Sequence, residues 1–320
     1  MNYINILAAT ALKKIAANSQ YAKNFLQGGE LFEFLRVAAN RYVIAENAID
    51  CLERVKRLAD KGYEIGLEYV GENVTDIAEV RRIVTQYERM IEMMPPRGLG
   101  ERTELNFDLS NVGLLISRDL ATESTANILT RAMQKRVFVT VSMEQATLVS
   151  EILGVISRLA PSFPNLGITL QAYLHRTPRD LEHVLDIGCK VRLVKGVYEE
   201  SPVDALPRSQ QLNDRYMALA ARLSDAGTAR SLATQDPALI KQLIDAGLLA
   251  NGAELEMLHG VQPQLLRSLR QDGILCRIYC TYGDNWYLHF LHRLAEAPEN
   301  VIQALADFAD PSRITFGSGY

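Results

Sequence analysis

The chain has 320 residues, of which 48% are hydrophobic and 22% are charged, and its formal net charge is −4. This length and apolar content suffice for one large domain with a substantial core. The weakly acidic balance offers no basic surface for nucleic acid and no polybasic segment for an anionic membrane, so we expect a small-molecule ligand and at most a peripheral membrane contact.

The first 62 residues are predicted to be helical. Apolar positions recur at three- and four-residue spacing in 31–43 and 45–62, and Gly62 ends the pattern. The chain does not begin with the features of a secretory signal peptide, and no apolar run reaches the roughly 18 residues that span a bilayer, so a cytoplasmic protein is expected. We therefore expect an N-terminal helical segment over 1–62 and a catalytic barrel over 63–320.

Beyond residue 62 the pattern changes to eight short β-branched or apolar runs, separated by longer amphipathic stretches. The predicted strands are 64–70, 104–109, 136–142, 166–173, 190–196, 229–234, 252–258 and 274–282. Thr177-Pro178 and Asp236-Pro237 each place a capping side chain before a proline at a helix start. Eight strand-then-helix units predict the α/β class and a (βα)8 TIM-like barrel with right-handed crossovers. A doubly wound open sheet is the competing arrangement, although no Gly-x-Gly-x-x-Gly motif follows any strand.

Polar side chains are concentrated where the predicted strands end, which is where (βα)8 barrels carry their chemistry. Arg192 and Lys195 belong to the fifth strand, and period-two alternation sends them to opposite sides unless the strand bends at Gly196. Gln171 interrupts the otherwise apolar fourth strand. A purely structural role stays open for both Arg192 and Gln171. In that interpretation Arg192 fills the upper barrel layer beside a carboxylate, and Gln171 makes an internal hydrogen bond.

The segment 286–296 follows the eighth strand directly and is predicted to be a helix over the barrel mouth. His289, His292, Arg293 and Glu296 recur on it at three- and four-residue spacing, which gives the helix one ionic face. A solvated charged face and an anion clamp are both compatible with this pattern.

The remaining histidines and the cysteines give weak signals. His175, His259 and His292 lack the spacing typical of metal ligands, so metal chemistry is a minor alternative, and no Gly-x-Ser-x-Gly elbow indicates a hydrolase. No pair of cysteines forms a C-x-x-C motif. We expect four reduced core thiols, which are Cys51, Cys189, Cys276 and Cys280.

Five motifs in a fixed order resemble the proline dehydrogenase family, the FAD-dependent oxidoreductases of proline catabolism, and in particular its monofunctional bacterial members. The motifs are LQAYLHRT (170–177), VRLVKGVYEE (191–200), ATQDP (233–237), EMLHGV (256–261) and TYGDNWYLHFLHRLAEAPENV (281–301). The resemblance extends from about residue 11 to about residue 301. It implies a distorted (βα)8 barrel that binds FAD at its C-terminal face and moves hydride from the carbon beside the proline nitrogen to flavin N5.

The resemblance also implies roles for individual residues. Arg192 matches the arginine beside flavin N5, where a fixed cation stabilises the negative charge of reduced flavin. Ser142 stands with Arg192 as a catalytic candidate. The implied cofactor contacts are Val141, Gln171, Arg192, Lys195, Gly196, Val197, Thr234 and Gln235. The implied substrate contacts are Asp108, Tyr198, Tyr279, His292 and Arg293.

The substrate half departs from the family pattern. Asp108 stands at the position of a carboxylate-binding lysine, His292 replaces the first of two helix arginines, and Ser142 replaces an aspartate. Glu256 lies at a glutamine position and Gln235 at a histidine position. A free proline carboxylate is poorly held in such a pocket, because repulsion replaces attraction at short range.

We therefore expect a modified substrate, either an amine or a cyclic imino acid whose carboxylate is masked, absent or balanced by a second cation, as in a specialised biosynthetic pathway. A quinone electron acceptor is compatible with the resemblance. Two alternatives stay open: a catalytically degraded barrel that binds a ligand or partner without redox turnover, and ordinary L-proline oxidation with a rearranged carboxylate clamp. A flavin that bleaches anaerobically with substrate distinguishes an enzyme from a degraded barrel.

Overall fold

The computed structural model describes residues 30–71, 73–296 and 298–320, so the part of the predicted helical segment within 1–29 lies outside the described residues. The strands are β1 (Val43–Ala45), β2 (Glu64–Tyr69), β3 (Thr103–Phe107), β4 (Phe138–Val141), β5 (Leu166–Gln171), β6 (Lys190–Val194), β7 (Arg230–Ala233), β8 (Glu254–Leu258) and β9 (Cys276–Tyr282). The α-helices are α1 (Glu30–Ala39), α2 (Ala48–Asp60), α3 (Ile77–Met93), α4 (Arg118–Gln134), α5 (Val149–Leu159), α6 (Thr177–Ile187), α7 (Gln210–Asp225), α8 (Pro237–Asp245), α9 (Pro263–Gln271), α10 (Trp286–Glu296) and α11 (Pro298–Ala309).

Strands β2 to β9 form a closed parallel barrel. They pair in chain order, and β9 completes the ring by pairing with both β8 and β2. Each of the eight predicted strands overlaps one barrel strand, and helices separate them along the chain. The predicted (βα)8 barrel is confirmed, and the open sheet is wrong.

Side-chain caps explain where several helices begin. Asn47, Asp76, Ser117 and Ser209 precede α2, α3, α4 and α7, and each side chain accepts a hydrogen bond from a backbone N–H in the first turn. Asp236 caps α8 as predicted, accepting from the backbone N–H groups of the next turn. These caps fix the points at which the chain leaves the barrel mouth and turns back along its outside.

Two local predictions are wrong. The Thr177 hydroxyl does not cap α6, because it donates to the carbonyl of Gln171 at 2.6 Å and ties the helix start to the end of β5. The segment 1–62 is not purely helical, because β1 pairs in parallel with the last residues of β9. Three residues are too few to give a periodic signal, and their strand conformation depends on this tertiary pairing.

β1 enters the rim of the barrel between β8 and β9. Its partners on β9 are Thr281 and Tyr282, which lie beyond the last β8–β9 pair at Tyr279. Gly260, just after β8, has a φ of +76°, and a Cβ atom there would lie 1.7 Å from the carbonyl oxygen of Arg41. Only glycine therefore permits this approach.

Helix α2 packs directly on the barrel. Cys51, Leu52, Val55 and Leu58 are fully buried and belong to the same hydrophobic core as the barrel strands. The division of the chain at residue 62 stays a prediction. All four cysteines are buried thiols, as expected. Among the described helices, none combines the length and apolar composition that crossing a bilayer would require.

The interior of the barrel carries charge in place of the branched apolar layers that usually fill such barrels. Lys190 Nζ lies 2.6 Å from Glu104 and 2.8 Å from Glu254, and Arg277 donates to Glu254 at 2.6 Å. We call Glu104, Lys190, Glu254 and Arg277 the lower charge cluster. Their side chains are at most 12% exposed, so each charge depends on its partners for stabilisation.

Candidate active site

A second set of polar side chains lies two residues further along the same strands, nearer the barrel mouth. Arg192 follows Lys190 on β6, Glu256 follows Glu254 on β8, and Tyr279 follows Arg277 on β9. Residues two apart on a strand face the same side, so these side chains also point into the barrel. We call Arg192, Glu256 and Tyr279, together with Glu68 on β2, the upper charge cluster.

Arg192 is the centre of this upper cluster. Its Nη2 lies 2.6 Å from Glu256 Oε1, and its guanidinium carbon lies 4.2 Å from the centroid of the Tyr279 ring. The Arg192 and Glu256 side chains are 11% and 2% exposed. A carboxylate at its edge and an aromatic ring against its face thus fix the orientation of the guanidinium.

Burial shapes the protonation states in the upper charge cluster. Burial lowers the pKa of Arg192, but Glu256 and Tyr279 outweigh it, so the pKa is raised overall and the guanidinium stays charged. Burial also raises the pKa of Glu68. The charge of Arg192 and a hydrogen bond from Tyr279 oppose this rise without cancelling it. Burial and the nearby Glu68 carboxylate hold the pKa of Tyr279 well above its usual value. Arg192 therefore works as a permanent cation and Tyr279 as a neutral phenol.

Apart from Val141 on β4, the predicted cofactor residues lie on or just after three adjacent strands, β5, β6 and β7. The Gln171 amide donates to the backbone carbonyl of Glu144 at 2.8 Å, which is the internal hydrogen bond that the structural interpretation expects. Lys195 Nζ lies 2.8 Å from Asp236, and the backbone N–H of Asp236 donates to the Thr234 hydroxyl at 3.2 Å. Burial raises the pKa of Asp236, but the hydrogen bond and charge of Lys195, together with the backbone N–H groups of Leu239 and Ala238, outweigh burial and lower the pKa overall.

The backbone after β6 turns sharply at Gly196. Its φ is +113°, and a Cβ atom there would lie 2.2 Å from the Tyr173 ring, so glycine is required. Val197, the next residue, is 50% exposed at the mouth. Gln235, in the loop after β7, accepts a hydrogen bond from Gln262 Nε2 through its backbone carbonyl at 2.9 Å.

Val141 and Ser142 lie at the end of β4. Phe138 on the same strand lies near Lys190 inside the barrel, so alternation turns Val141 towards the helices and Ser142 towards the mouth. Val141 is fully buried in the hydrophobic core. Ser142 is 8% exposed, and its backbone N–H donates to the Phe107 carbonyl at 2.9 Å. Only the backbone of Val141 is therefore positioned for the predicted cofactor contact.

The predicted substrate residues lie mainly on the opposite side of the mouth. Asp108 follows β3, and its charge raises the pKa of Tyr279 together with those of Glu68 and Glu256. Arg293 on α10 is 8% exposed and acts on Glu68, so the solvated-face interpretation is wrong for this arginine.

The remaining two predicted substrate residues are Tyr198 and His292. Tyr198 is half-buried in the loop after β6, which is on the cofactor side of the mouth. The side chain of His292 lies outside the described residues. The substrate side therefore rests on Asp108, Tyr279 and Arg293 among the predicted residues.

Sequence reasoning missed Glu68, although a signal for it was present. Glu64 and Glu68 alternate with apolar residues in the first barrel strand, which indicates that both point away from the helix layer. The structure brings Glu68 to Tyr279 and Arg192. It therefore adds a third acid to the two that the sequence placed near the substrate.

Two histidines considered as metal ligands lie apart. The Nε2 atom of His175 is 3.1 Å from the Pro202 carbonyl, whereas His259 Nδ1 is 2.9 Å from the Tyr320 hydroxyl in a buried pocket. Within the described ranges, no group of three or more histidine, cysteine, aspartate or glutamate residues has a metal-binding arrangement.

Sequence comparison decides the family. The sequence profile described as Proline dehydrogenase matches residues 51–301. The chain belongs to the proline dehydrogenase family. Proline dehydrogenase 1 of Bacillus subtilis (strain 168) is 30% identical over 269 residues, which cover 83% of this chain and 88% of that protein. Proline dehydrogenase of Deinococcus radiodurans is 28% identical over 271 residues, covering 82% and 87%.

A solved protein structure has the same fold. Proline utilization A (PutA) from Bdellovibrio bacteriovorus, inactivated by N-propargylglycine, superposes with a TM-score of 0.78 at 16% identity. The match covers 99% of this chain and 39% of that chain, so this chain spans about two-fifths of the PutA protein. This likeness supports the barrel architecture.

Family membership makes the chain an FAD-dependent oxidoreductase, as the motifs predicted, and disfavours the degraded barrel. The mouth fits this cofactor. Arg192 supplies a fixed cation, and the Glu256 Oε2 atom is buried with no hydrogen-bond partner among the described residues, so it can accept an N–H group. Gln171 and Arg192 would face the flavin ring, while Lys195 and Thr234 would hold the rest of FAD.

Proposed function

We propose that the chain oxidises a C–N bond of a proline-like cyclic imino acid derivative or amine whose carboxylate is masked, absent or balanced by a second cation. The charge around the Tyr279 hydroxyl carries this proposal, since Glu68, Asp108 and Glu256 all act on it. Arg192, the cation among them, is already paired with Glu256. An unmodified carboxylate placed there would meet more acid than base.

The chain's own residues supply orientation and charge for this reaction. When bound, FAD would supply the acceptor for the hydride that leaves the carbon beside the substrate nitrogen. The substrate also loses one proton from that nitrogen, so the product is an imine. Arg192, held between Glu256 and Tyr279, places a positive charge where negative charge develops during hydride transfer. Arg293 on α10 is a second cation, close enough to act on the charge of Glu68, and we assign it to substrate binding.

A second candidate is ordinary L-proline oxidation with a rearranged carboxylate clamp. Arg293 favours this candidate, because a buried arginine at the mouth is a suitable partner for a carboxylate. We extend the proposal to a quinone as electron acceptor and to a cytoplasmic location with at most peripheral membrane contact. Both additions rest on the family resemblance and on the weakly acidic net charge of −4.

Anaerobic bleaching of the bound flavin tests the substrate. The panel compares L-proline with prolinamide, pyrrolidine and 4-aminoproline, which mask the carboxylate, remove it or add a cation. We expect at least one of these three to bleach the flavin at a concentration about tenfold below that needed for L-proline, which corresponds to about 1.4 kcal/mol of selectivity. Asp108→Asn is the matched variant, and it should narrow this difference.

A preference for L-proline over all three compounds would contradict the modified substrate and support the second candidate, ordinary L-proline oxidation. A protein that cannot be reconstituted with FAD would contradict both candidates.

A further inference from the structure

Glu256 has two oxygen atoms in different situations. Oε1 lies 2.6 Å from Arg192, whereas Oε2 is buried and has no hydrogen-bond partner within the described part of the chain. The motif resemblance places an uncharged glutamine at this position, so the chain has replaced an amide by an acid. A buried acid that is only half satisfied is costly to keep.

The position of Glu256 beside Arg192 explains what this acid does to the site. Hydride uptake adds negative charge to a flavin, and a fixed cation nearby favours the reduced form. A carboxylate in direct contact with that cation cancels much of its field. The pair Arg192–Glu256 is therefore a weaker electrophilic element than Arg192 alone.

We propose that Glu256 is a positioning residue that holds Arg192 in place and lowers the reduction potential of the bound flavin by neutralising it. The inference rests on FAD binding in the proposed function and goes beyond it, because it assigns the redox tuning to a residue that this chain has in place of an amide.

Three other acids near the mouth have partners of their own. Glu144 accepts a hydrogen bond from the backbone N–H of Ser110 at 3.0 Å, and Asp236 pairs with Lys195. Glu68 accepts from Tyr279 and acts on Arg192 without a direct bond in the described contacts. Glu256 is thus the acid whose removal most directly changes the charge that Arg192 presents.

The test is the midpoint potential of the bound flavin, measured by spectroelectrochemical titration of the FAD-loaded protein without substrate. Glu256→Gln should favour the reduced flavin at least tenfold relative to the parent, a positive shift of about 30 mV for a two-electron couple. The midpoint potential of the Arg192→Met protein should lie below that of the parent. The double variant should lie between the two single variants, because it removes both charges of the pair.

Glu254→Gln is the matched control. Glu254 lies two residues earlier on the same face of β8 and binds Lys190 and Arg277. Loss of the Glu254 charge should lower the melting temperature of the protein. It should change the equilibrium between oxidised and reduced flavin by less than threefold. If Glu256→Gln does not fold, Glu256→Asp replaces it: the shorter acid keeps the charge but lengthens the contact, so its potential should also rise, by a smaller amount.

A Glu256→Gln potential at or below that of the parent overturns the proposal, as does an equal shift in Glu254→Gln. A parent protein that binds no FAD overturns it together with the proposed function. An unshifted potential with flavin bound overturns this inference alone.

Discussion

The guanidinium group of Arg192 lies over the ring of Tyr279, with 4.2 Å between the guanidinium carbon and the ring centroid. Such a contact contributes about 0.5–2 kcal/mol, depending on how well it is desolvated. Both residues point into the barrel from strands that are not neighbours, β6 and β9. Their contact therefore spans the mouth and connects the cofactor side with the substrate side.

Arg192→Met should slow anaerobic flavin reduction by about 100-fold, since loss of one preorganised electrostatic group typically costs that much. Stopped-flow spectroscopy at saturating substrate measures this rate. Arg230→Met is a suitable control, because Arg230 is a buried arginine whose guanidinium bonds Ser224 and Leu248, away from the mouth. Equal reduction rates for Arg192→Met and the parent would show that Arg192 has no catalytic role.

Lys190→Met should destabilise the fold strongly. The change leaves Glu104 and Glu254, which Lys190 contacts at 2.6 and 2.8 Å, with Arg277 as their remaining cation in the lower charge cluster. Breaking one partner out of a buried ionic group costs about 3–5 kcal/mol. Denaturant unfolding measures the change, and Lys241→Met, at an exposed lysine paired with Asp245, should stay within about 0.5 kcal/mol of the parent.

Asp108→Lys combined with His292→Arg restores the two cations that the family pattern places in the substrate pocket. The double variant should bleach its flavin with L-proline at concentrations at least about tenfold lower than the parent needs, because attraction replaces repulsion at the carboxylate. The titration is the same anaerobic one used for the substrate panel. Unchanged sensitivity to L-proline means that other residues set the selectivity of the pocket.

Stability should fall as the pH drops from 7 to 5, because of His259. Burial, assisted by Arg54 and Arg41, lowers the pKa of His259 from 6.5 to about 4. The unfolded chain then binds the proton first, so lowering the pH through this window favours unfolding, by about 2 kcal/mol at pH 5. The Tyr320 hydroxyl lies 2.9 Å from Nδ1 and accepts from the Gly260 N–H, which suits a neutral ring that accepts at Nδ1.

Chemical denaturation of the parent and of His259→Gln at pH 7 and pH 5 checks this expectation. Glutamine keeps a polar side chain but does not titrate, so the variant should lose most of the pH dependence in this range. The same slope in both proteins would assign the pH dependence to other groups.

The strands of the barrel were predictable because each is a local pattern of apolar and β-branched residues. β1 was not, since its conformation depends on pairing with β9 and on the approach of Arg41 to Gly260. The upper charge cluster was predictable in part. Arg192 and Glu256 are visible as polar residues in strands, but which acid meets which base depends on strand register and barrel tilt.

The lower and upper charge clusters share strands β6, β8 and β9, on which their residues lie two positions apart, and the two clusters have different roles. The lower cluster contributes to the stability of the barrel, whereas the upper cluster lines the candidate active site. Substitutions at the mouth can therefore exchange charges and redirect the enzyme to new substrates, while the lower charge cluster stays unchanged. For protein engineering, this barrel offers an interior in which selectivity and robustness are set by separate residues on shared strands.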